Sequence, residues 1–306
     1  MKLNAHGLTD RGKRRERNED AFSVDPDQKV FVVADGVGGK QHGEMASKIF
    51  ADTIRERGPH LHQLCQAVCR LGEQGLRQAL FDGVQRLFDE ASARIWDYSA
   101  NDLRYRGMCT TGTVLVFVEC GDQGTAALVG HVGDSRAYLV RGGTVCRLTS
   151  DHTVAQQMLD EGMISQEDFL RTPLRRVLGR VVGRAPTVKA DTAWLDVFPG
   201  DAFVLCSDGL TGHVDDTEIL ELSRQYCGHP LAARLVDTAN ERGGADNITV
   251  IAVNVAGEAP PDNVLEATKR IAVLSDVGLF GPLNNQELVS LLKVVFQESH
   301  PAGAVV

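Results

Sequence analysis

The sequence has no long apolar run and no segment typical of an export signal. None of its apolar stretches approaches the roughly 20 residues that a helix needs to cross a bilayer. The basic run at residues 11–17 is not followed by an apolar segment, so we expect no signal peptide. We therefore expect a cytoplasmic protein that has no membrane partner.

Positive charge is also in deficit. The 32 lysines and arginines are outnumbered by 41 aspartates and glutamates, which gives a formal net charge of -9. Nucleic acids and anionic lipid surfaces attract basic proteins, so this balance argues against a general affinity for either. We predict no nucleic-acid partner.

Cysteine is present without the pattern of a disulfide framework. The seven cysteines are odd in number and scattered, which is typical of reduced thiols in a cytosol. The rest of the composition, 43% hydrophobic and 24% charged, is that of an ordinary globular protein. A chain of 306 residues can form one large domain, or one large and one partial domain.

The order of the predicted elements indicates an α+β protein. Apolar residues recur at helical spacing in residues 43–57 and 61–104, and two shorter helices are predicted at about 215–225 and 231–242. Strands are predicted at residues 3–9, 21–24, 30–34, 113–119, 125–132, 135–141, 144–148, 187–190, 192–197, 201–206 and 248–255. Helices grouped in pairs favour packing on the outer faces of antiparallel sheets.

One short stretch combines a buried strand with an unusual end. Residues 30–34 are apolar and β-prone, Asp35 follows directly, and Gly36, Gly38 and Gly39 come next. A carboxylate at the end of a buried strand is costly unless a cation meets it. Asp35 and the Gly36 carbonyl are therefore candidate metal ligands, although Asp-Gly alone is also a common turn dipeptide.

The same arrangement of an acid at a strand end, beside glycine or another small or polar residue, occurs five times. The acids are Asp20 with its neighbour Glu19, Asp35, Asp134, Asp208 and Asp246. Hard divalent cations such as Mg²⁺ and Mn²⁺ prefer oxygen ligands from carboxylates, carbonyls and water. An acid cluster without cations would repel itself. Each acid taken singly is typical of a turn, but five together indicate a metal site.

Five short motifs contain these acids. They are Arg15-x-x-Asn18-Glu19-Asp20-Ala21, Asp35-Gly36-x-Gly38-Gly39, Gly133-Asp134-Ser135-Arg136-x-Tyr138, Ser207-Asp208-Gly209 and Gly244-x-Asp246-Asn247. In this order they resemble the motifs of the PPM family, the metal-dependent protein phosphatases of the 2C type, in their compact bacterial form. The resemblance covers residues 5–255. It implies a four-layer αββα sandwich, two antiparallel sheets flanked by helix pairs, with a dinuclear metal site at one end.

The resemblance also implies roles for the matching residues. Two core Mn²⁺ or Mg²⁺ ions would be held by Asp20, Asp35, the Gly36 carbonyl, Asp208 and Asp246. Glu19 would act through bound water, and Arg15 would bind the phosphate through its planar, permanently charged donor fork. Asn247 would orient ligands or water from outside the coordination shell.

Two further features of the family match this chain. Asp134 would join Asp208 at a third, weaker metal site. Residues 153–180, which are polar and rich in arginine, correspond to a mobile flap beside the catalytic cleft. One position departs from the pattern of many eukaryotic relatives, where a histidine follows the Asp-Gly as a candidate acid for the leaving group. The residue here is Val37, so that proton would come from another source.

The implied reaction is hydrolysis of phosphoserine and phosphothreonine in proteins. A hydroxide bridging the two metals would attack phosphorus in line, while the metals and Arg15 neutralise charge on the phosphoryl oxygens. A phosphorylated protein and a cognate Ser/Thr kinase are the expected partners, and we expect a monomer. The alternatives are a pseudophosphatase that only binds phosphoproteins and a hydrolase of small phosphate esters. A pseudophosphatase would be expected to lack ligand acids, yet Asp20, Asp35, Asp208 and Asp246 are all present.

Other sequence signals are weaker. A dinucleotide-binding loop is excluded because Gln41 occupies its third glycine position, and no cysteine is followed by arginine at the spacing of a cysteine-nucleophile phosphatase. The cluster His60-x-His62-x2-Cys65-x3-Cys69 fits no common zinc motif, and its cysteines lie one helical turn apart. We expect structural roles for these side chains.

The C-terminal segment forms a separate prediction. The phosphatase domain is expected to occupy residues 1–256, and the linker-like composition at residues 257–262 separates it from helical patterns at 263–275 and 285–298. Leucines from Leu274 onward, followed by His300-Pro301-Ala302-Gly303, are similar to the entry helices and first strand of a cyclic-nucleotide-binding domain. Residues 257–306 would then be a linker and a short helical beginning of that domain, without the part that cradles a cyclic phosphate. An ordinary helical cap on the phosphatase is the alternative.

Overall fold

The computed structural model describes residues 1–37, 42–68, 72–119 and 124–257. These residues contain eleven β-strands and eight α-helices. The strands are β1 Leu3–Asp10, β2 Asp20–Asp25, β3 Val30–Val37, β4 Cys109–Thr110, β5 Gly112–Glu119, β6 Thr125–Val132, β7 Arg136–Arg141, β8 Thr144–Arg147, β9 Asp191–Asp196, β10 Ala202–Cys206 and β11 Ile248–Val255. The helices are α1 Gly43–Arg57, α2 His60–Val68, α3 Gly72–Asn101, α4 Val154–Asp160, α5 Gln166–Arg171, α6 Asp208–Thr211, α7 Asp216–Gln225 and α8 Gly228–Glu241.

The strands form two sheets in which neighbouring strands are antiparallel. One sheet has the order β1-β11-β10-β7-β8, and the other has the order β2-β3-β5-β6-β9, with the short β4 paired to β3. The chain crosses between the sheets several times, so that β10 and β11 lie beside the much earlier β7 and β1. This topology confirms the predicted α+β class with antiparallel sheets.

Strand β3 shows why these sheets need a layer on each face. Its alternate residues Val32 and Ala34 pack towards α1 and α3, in a cluster with Phe50. Phe31 and Val33, which point the other way, pack against the second sheet. A strand that is buried on both faces is apolar at every position, which explains its continuous hydrophobic run.

Strand β10 repeats this arrangement in the other sheet. Phe203 and Leu205 face the sheet that contains β3, while Val204 and Cys206 pack against the apolar faces of α7 and α8. The three apolar clusters therefore separate four layers, helices, sheet, sheet and helices, as predicted. Burial raises the pKa of the Cys206 thiol to about 12, so this side chain behaves as a small hydrophobic group.

One predicted strand is wrong. Residues 187–190 belong to no strand. Their backbone amides instead donate to side chains of α3, from Val188 N to Asp89 Oδ1 at 3.1 Å and from Ala190 N to Gln85 Oε1 at 3.1 Å. The local sequence has the composition of a strand, but the helix satisfies its hydrogen-bonding groups. The two-residue β4 was not predicted, because it is too short to show a periodicity.

Two further predictions concern the C-terminal segment and membrane-spanning helices. The C-terminal helices predicted after residue 262 lie outside the described residues. Within the described ranges, no helix combines the length and apolarity that crossing a bilayer requires.

Candidate active site

Five of the six predicted acids line a cavity of about 410 Å³ at one end of the two sheets, and the sixth, Asp20, is not part of its lining. Pairing of β2 with β3 places Asp20 directly opposite Asp35. Asp208 follows the end of β10, and Asp246 lies two residues before β11, which is the neighbour of β10 in the other sheet. The cavity is lined by Arg15, Glu19, Asp35, Gly36, Val37, Asp134, Arg176, Leu178, Asp208, Gly209, Gly212, His213, Ala245 and Asp246.

Asp20 connects the two sheets at the base of this site. Its Oδ2 accepts hydrogen bonds from Ser207 Oγ at 2.8 Å and from Thr249 Oγ1 at 2.6 Å. Its Oδ1 is buried and has no hydrogen-bond partner, and the same is true of Asp208 Oδ1. Buried carboxylate oxygens without a partner are costly, and a cation would satisfy them. The donor set therefore fits a hard divalent metal ion.

The raised pKa values of these aspartates also indicate that too little positive charge lies near the cluster. Burial, together with the charge of Asp208, raises the pKa of Asp20 to about 7 despite its two hydroxyl donors. Burial, with the charges of Asp208 and Asp151, raises the pKa of Asp134 to about 8. Burial and the neighbouring Asp20 and Asp208 raise the pKa of Asp35 well above its ordinary value. Without a cation, these groups would hold protons in their place.

The carboxylates do not form a closed coordination shell by themselves. Among the described residues, no three His, Cys, Asp or Glu side chains already converge on one point as ligands. Asp246 shows one reason, because both of its oxygens are engaged. Its Oδ2 accepts from Arg15 Nη2 at 2.5 Å and its Oδ1 accepts from the Asn247 amide at 2.8 Å. Hard divalent ions also take carbonyl and water ligands, so a site with few converging side chains is compatible with them.

Asn247 holds the loop that carries Arg15 and Glu19. Its Nδ2 donates to the carbonyls of Arg11 at 2.9 Å and Arg17 at 2.8 Å. Its Oδ1 accepts from the Glu19 amide at 2.8 Å. The side chain is buried, so it positions this loop from inside the protein. The contacts are to backbone groups of the loop rather than to the acid side chains.

Gly36 is required by the close approach of α1. Its amide donates to the Glu19 carbonyl at 3.1 Å. A Cβ atom at this position would lie 2.2 Å from the carbonyl oxygen of Gly43, at the start of α1, so any side chain would push the helix away. The absence of a side chain keeps the backbone of Gly36 at the cavity wall.

The structure adds residues that the sequence did not single out. Arg176 and Leu178 reach the cavity from residues 153–180, which form α4, α5 and a 3₁₀ turn at Pro173–Arg176. The two ends of this flap are joined by a hydrogen bond from the Val154 amide to Val177 O at 2.8 Å. His213 also lines the cavity, and the Ala245 amide donates to its Nε2 at 3.4 Å. The arginine content of the flap was visible in the sequence, but not which arginine would enter the cavity.

The weaker zinc candidate is not assembled among the described residues. His60 Nδ1 interacts with Arg57 O at 3.1 Å, and His62 Nε2 interacts with Gln28 O at 2.6 Å. Cys65 is buried and donates to Glu119 O at 3.4 Å. The three side chains therefore contact three different backbone carbonyls, which is compatible with structural roles. Cys69 lies outside the described residues.

Known proteins resemble this chain in sequence and in fold. The serine/threonine phosphatase stp of Listeria monocytogenes is 31% identical over 255 residues, which cover 82% of this chain and 95% of that protein. The crystal structure of Stp1 from Staphylococcus aureus is similar with a TM-score of 0.70 at 27% identity, covering 84% of this chain and 96% of that one. The catalytic domain of PstP in complex with two manganese ions has a TM-score of 0.68 at 28% identity, covering 83% and 99%. The profile described as protein phosphatase 2C matches residues 9–248. The chain therefore belongs to the protein phosphatase 2C family.

Proposed function

We propose that this protein is a metal-dependent phosphatase of phosphoserine and phosphothreonine in proteins. The observation that carries the proposal is a cavity lined by five acids, Glu19, Asp35, Asp134, Asp208 and Asp246, together with two buried carboxylate oxygens, Asp20 Oδ1 and Asp208 Oδ1, that lack hydrogen-bond partners. Arg15 lies beside these acids and provides a donor for a phosphate. The names of relatives, among them serine/threonine phosphatases and a putative 2C-type protein phosphatase, support the same activity.

The residues that would hold the metal ions are those of the acid cluster. Two Mn²⁺ or Mg²⁺ ions would be bound by Asp20, Asp35, the Gly36 carbonyl, Asp208 and Asp246, with Glu19 acting through water. Asp134, beside Asp208, would contribute to a third and weaker site. When bound, such ions supply an activated water at neutral pH and neutralise charge on the phosphoryl oxygens.

Arg15 would bind and orient the phosphoryl group. Its side chain is about half exposed, and one of its N–H groups donates to Asp246. A guanidinium has five N–H donors, so the remaining donors are available for phosphoryl oxygens. The contact with Asp246 fixes the orientation of the guanidinium before the substrate arrives. Asn247 preserves this geometry by holding the loop on both sides of Arg15.

The nucleophile is expected to be water rather than a side chain. The described residues that line the cavity include no Cys, Ser or Thr. Val37 lines the cavity as an apolar side chain and offers no proton to the leaving alkoxide. Protonation of the leaving group would therefore come from water or from a group elsewhere in the cavity.

The cellular setting is part of the same proposal. A phosphorylated protein would be the substrate, a Ser/Thr kinase would act in opposition, and the enzyme would work as a cytoplasmic monomer in signal transduction. The catalytic domain would occupy residues 1–256. The segment 257–306 would be a linker and the beginning of a cyclic-nucleotide-binding-like domain, and nearly all of it lies outside the described residues.

Hydrolysis of a phosphothreonine peptide tests the proposed activity. The purified chain should release phosphate in the presence of Mn²⁺ and lose this activity on addition of a chelator. The variant Asp208→Asn should be inactive under both conditions, whereas Asp237→Asn, an exposed aspartate on α8, should match the unmodified chain.

The outcome separates the proposal from its alternatives. Turnover that survives chelation, or an active Asp208→Asn variant, would contradict a metal-dependent mechanism. A phosphoprotein that is retained but not dephosphorylated would indicate a binding module. Turnover restricted to small phosphate esters would indicate a different substrate class.

A further inference from the structure

The flap contains four arginines, and one of them differs from the other three. Arg171 forms an ion pair with Glu167 at 2.7 Å, and Arg180 forms one with Asp191 at 2.5 Å. The guanidinium of Arg175 lies over the ring of Phe169 at 5.1 Å and donates to Leu170 O at 3.3 Å. These contacts of the three arginines hold the flap together or fasten it to the β-sandwich.

Arg176 has no such contact within the described part of the chain. Its side chain is exposed, and it lines the same cavity as Arg15, Asp134 and Asp208. The other cavity-lining residues among those described include only one more arginine, Arg15, and no lysine. An exposed arginine that lines the cavity and has no ion-pair or hydrogen-bond partner among the described residues is available to a ligand.

The two arginines reach the cavity from different parts of the fold. Arg15 lies on the loop between β1 and β2, and its guanidinium is already committed in part to Asp246. Arg176 ends the 3₁₀ turn of the flap, directly after Arg175, whose own guanidinium is turned towards Phe169. The 3₁₀ turn therefore separates a structural arginine from an arginine that faces the cavity.

We propose that Arg176 is a specificity-determining residue that binds an anionic group of the substrate at the flap side of the cavity. This inference rests on the proposed phosphatase function and deepens it. The anionic group is either the phosphoryl group itself or a carboxylate beside the phosphorylated residue. A guanidinium recognises both through charge-assisted, often bidentate, hydrogen bonds.

The experiment compares Arg176→Ala with Arg171→Ala. Both variants remove one exposed positive charge from the flap, but only Arg176 lines the cavity, and an exposed ion pair such as that of Arg171 contributes little to stability. KM and kcat are measured with Mn²⁺ on p-nitrophenyl phosphate and on two phosphothreonine peptides, one with glutamates and one with alanines beside the phosphothreonine. Binding of inorganic phosphate to the Mn²⁺-loaded variants is measured by calorimetry, which does not depend on turnover.

We expect Arg176→Ala to raise KM by about tenfold, the scale of one lost charge-assisted hydrogen bond. If the phosphoryl group is the ligand, all three substrates and inorganic phosphate are affected. If a flanking carboxylate is the ligand, the increase is confined to the glutamate peptide. Arg176→Lys, which keeps the charge but loses the planar fork, should lie between the unmodified chain and Arg176→Ala.

The proposal is overturned if Arg176→Ala matches Arg171→Ala with all three substrates and with inorganic phosphate. An unmodified chain that hydrolyses none of the substrates would instead remove the proposed function. In that case calorimetry would still show whether Arg176 contributes to phosphate binding. Both arginines are exposed, so equal melting temperatures of the two variants would confirm that the fold is unchanged.

Discussion

The molecule contains two sets of aspartates with buried carboxylate oxygens, and the two sets differ in the partners of those oxygens. Asp201 and Asp151 each face an arginine that donates two hydrogen bonds, from Arg141 at 2.7 and 2.7 Å and from Arg136 at 2.9 and 2.6 Å. In the acid cluster, by contrast, Asp20 has one oxygen without a partner.

The pKa values follow this difference. Burial alone would raise the pKa of Asp151, but the hydrogen bonds and charge of Arg136 hold it below its ordinary value. For Asp35 every main influence, burial first and then its acidic neighbours, acts in the same direction and raises the pKa. The protein thus supplies an arginine where a buried carboxylate serves the fold. Where a carboxylate of the acid cluster has no arginine partner, the positive charge has to come from a ligand.

The largest expected effect comes from a change within the acid cluster. Asp35→Asn should lower kcat on the order of 10³-fold, about 4 kcal/mol of transition-state stabilisation. The metal-free variant should nevertheless unfold at a higher urea concentration, because a buried like charge has been removed. Activity assays and urea denaturation check the two halves of this prediction, with Asp237→Asn as the control. A variant that loses stability would show that Asp35 resembles Asp201 after all.

The opposite result is expected for a carboxylate that an arginine holds. Asp201→Ala leaves the buried Arg141 without its ion-pair partner and should lower the free energy of unfolding by roughly 3 kcal/mol. The control is Asp196→Ala, because Asp196 contacts Arg141 only through its backbone carbonyl. Urea denaturation of both variants measures the difference. Equal stability of the two would mean that the ion pair contributes nothing to the fold.

Addition of metal should act on one set of aspartates only. At free Mn²⁺ concentrations 100 times the dissociation constant, a single bound ion should stabilise the folded chain by about 2.7 kcal/mol. Asp201→Ala should show the same increase in the free energy of unfolding with Mn²⁺, although its stability without metal is lower. Asp35→Asn should lose most of this increase. Thermal denaturation with Mn²⁺ and with chelator gives the values. An equal gain in both variants would place the metal outside the acid cluster.

A buried base sharpens the comparison further, because it is kept neutral instead of being paired with a charge. His131 is fully buried, and its ring nitrogens lie within hydrogen-bond distance of Thr113 Oγ1 at 3.0 Å and Gly133 O at 3.0 Å. Burial, with a smaller effect of the nearby His152, lowers the pKa of His131 to about 3. His131 therefore binds a proton near pH 6.5 in the unfolded chain but stays neutral at this pH in the folded chain.

The stability supplied by neutral His131 should accordingly be complete above pH 6.5 and decrease as the pH falls towards 3. The loss should be about 1.4 kcal/mol per pH unit below 6.5. Urea denaturation at pH 7.5, 6.5 and 5.5 should show this slope in the unmodified chain, in addition to the titration of the acid cluster. His131→Gln should remove it. An unchanged difference between the two proteins across this range would mean that His131 is protonated in the folded state.

Much of the site could be predicted because its acids are fixed by local structure. Asp35 lies near the end of β3, Asp208 comes two residues after β10, and Asp246 comes two residues before β11. Since strands enter and leave a sandwich at its ends, acids at strand ends are brought to the ends of the fold. The sequence could not show that Asn247 fastens the loop of Arg15, because its partners lie more than 200 residues away in the chain.

By itself, the sequence determined where most strands and helices lie, the positions of the acids and the family motifs that contain them, because these depend on neighbours along the chain. The tertiary structure decided which carboxylates receive an arginine. Arg141 meets Asp201 across sixty residues of sequence, whereas Asp20 and Asp208 retain oxygens without partners. It also decided that Arg176, alone among four flap arginines, lines the cavity. Pairing of charges depends on which surfaces the folded sheets and the flap bring together, and that is a property of the whole packing arrangement.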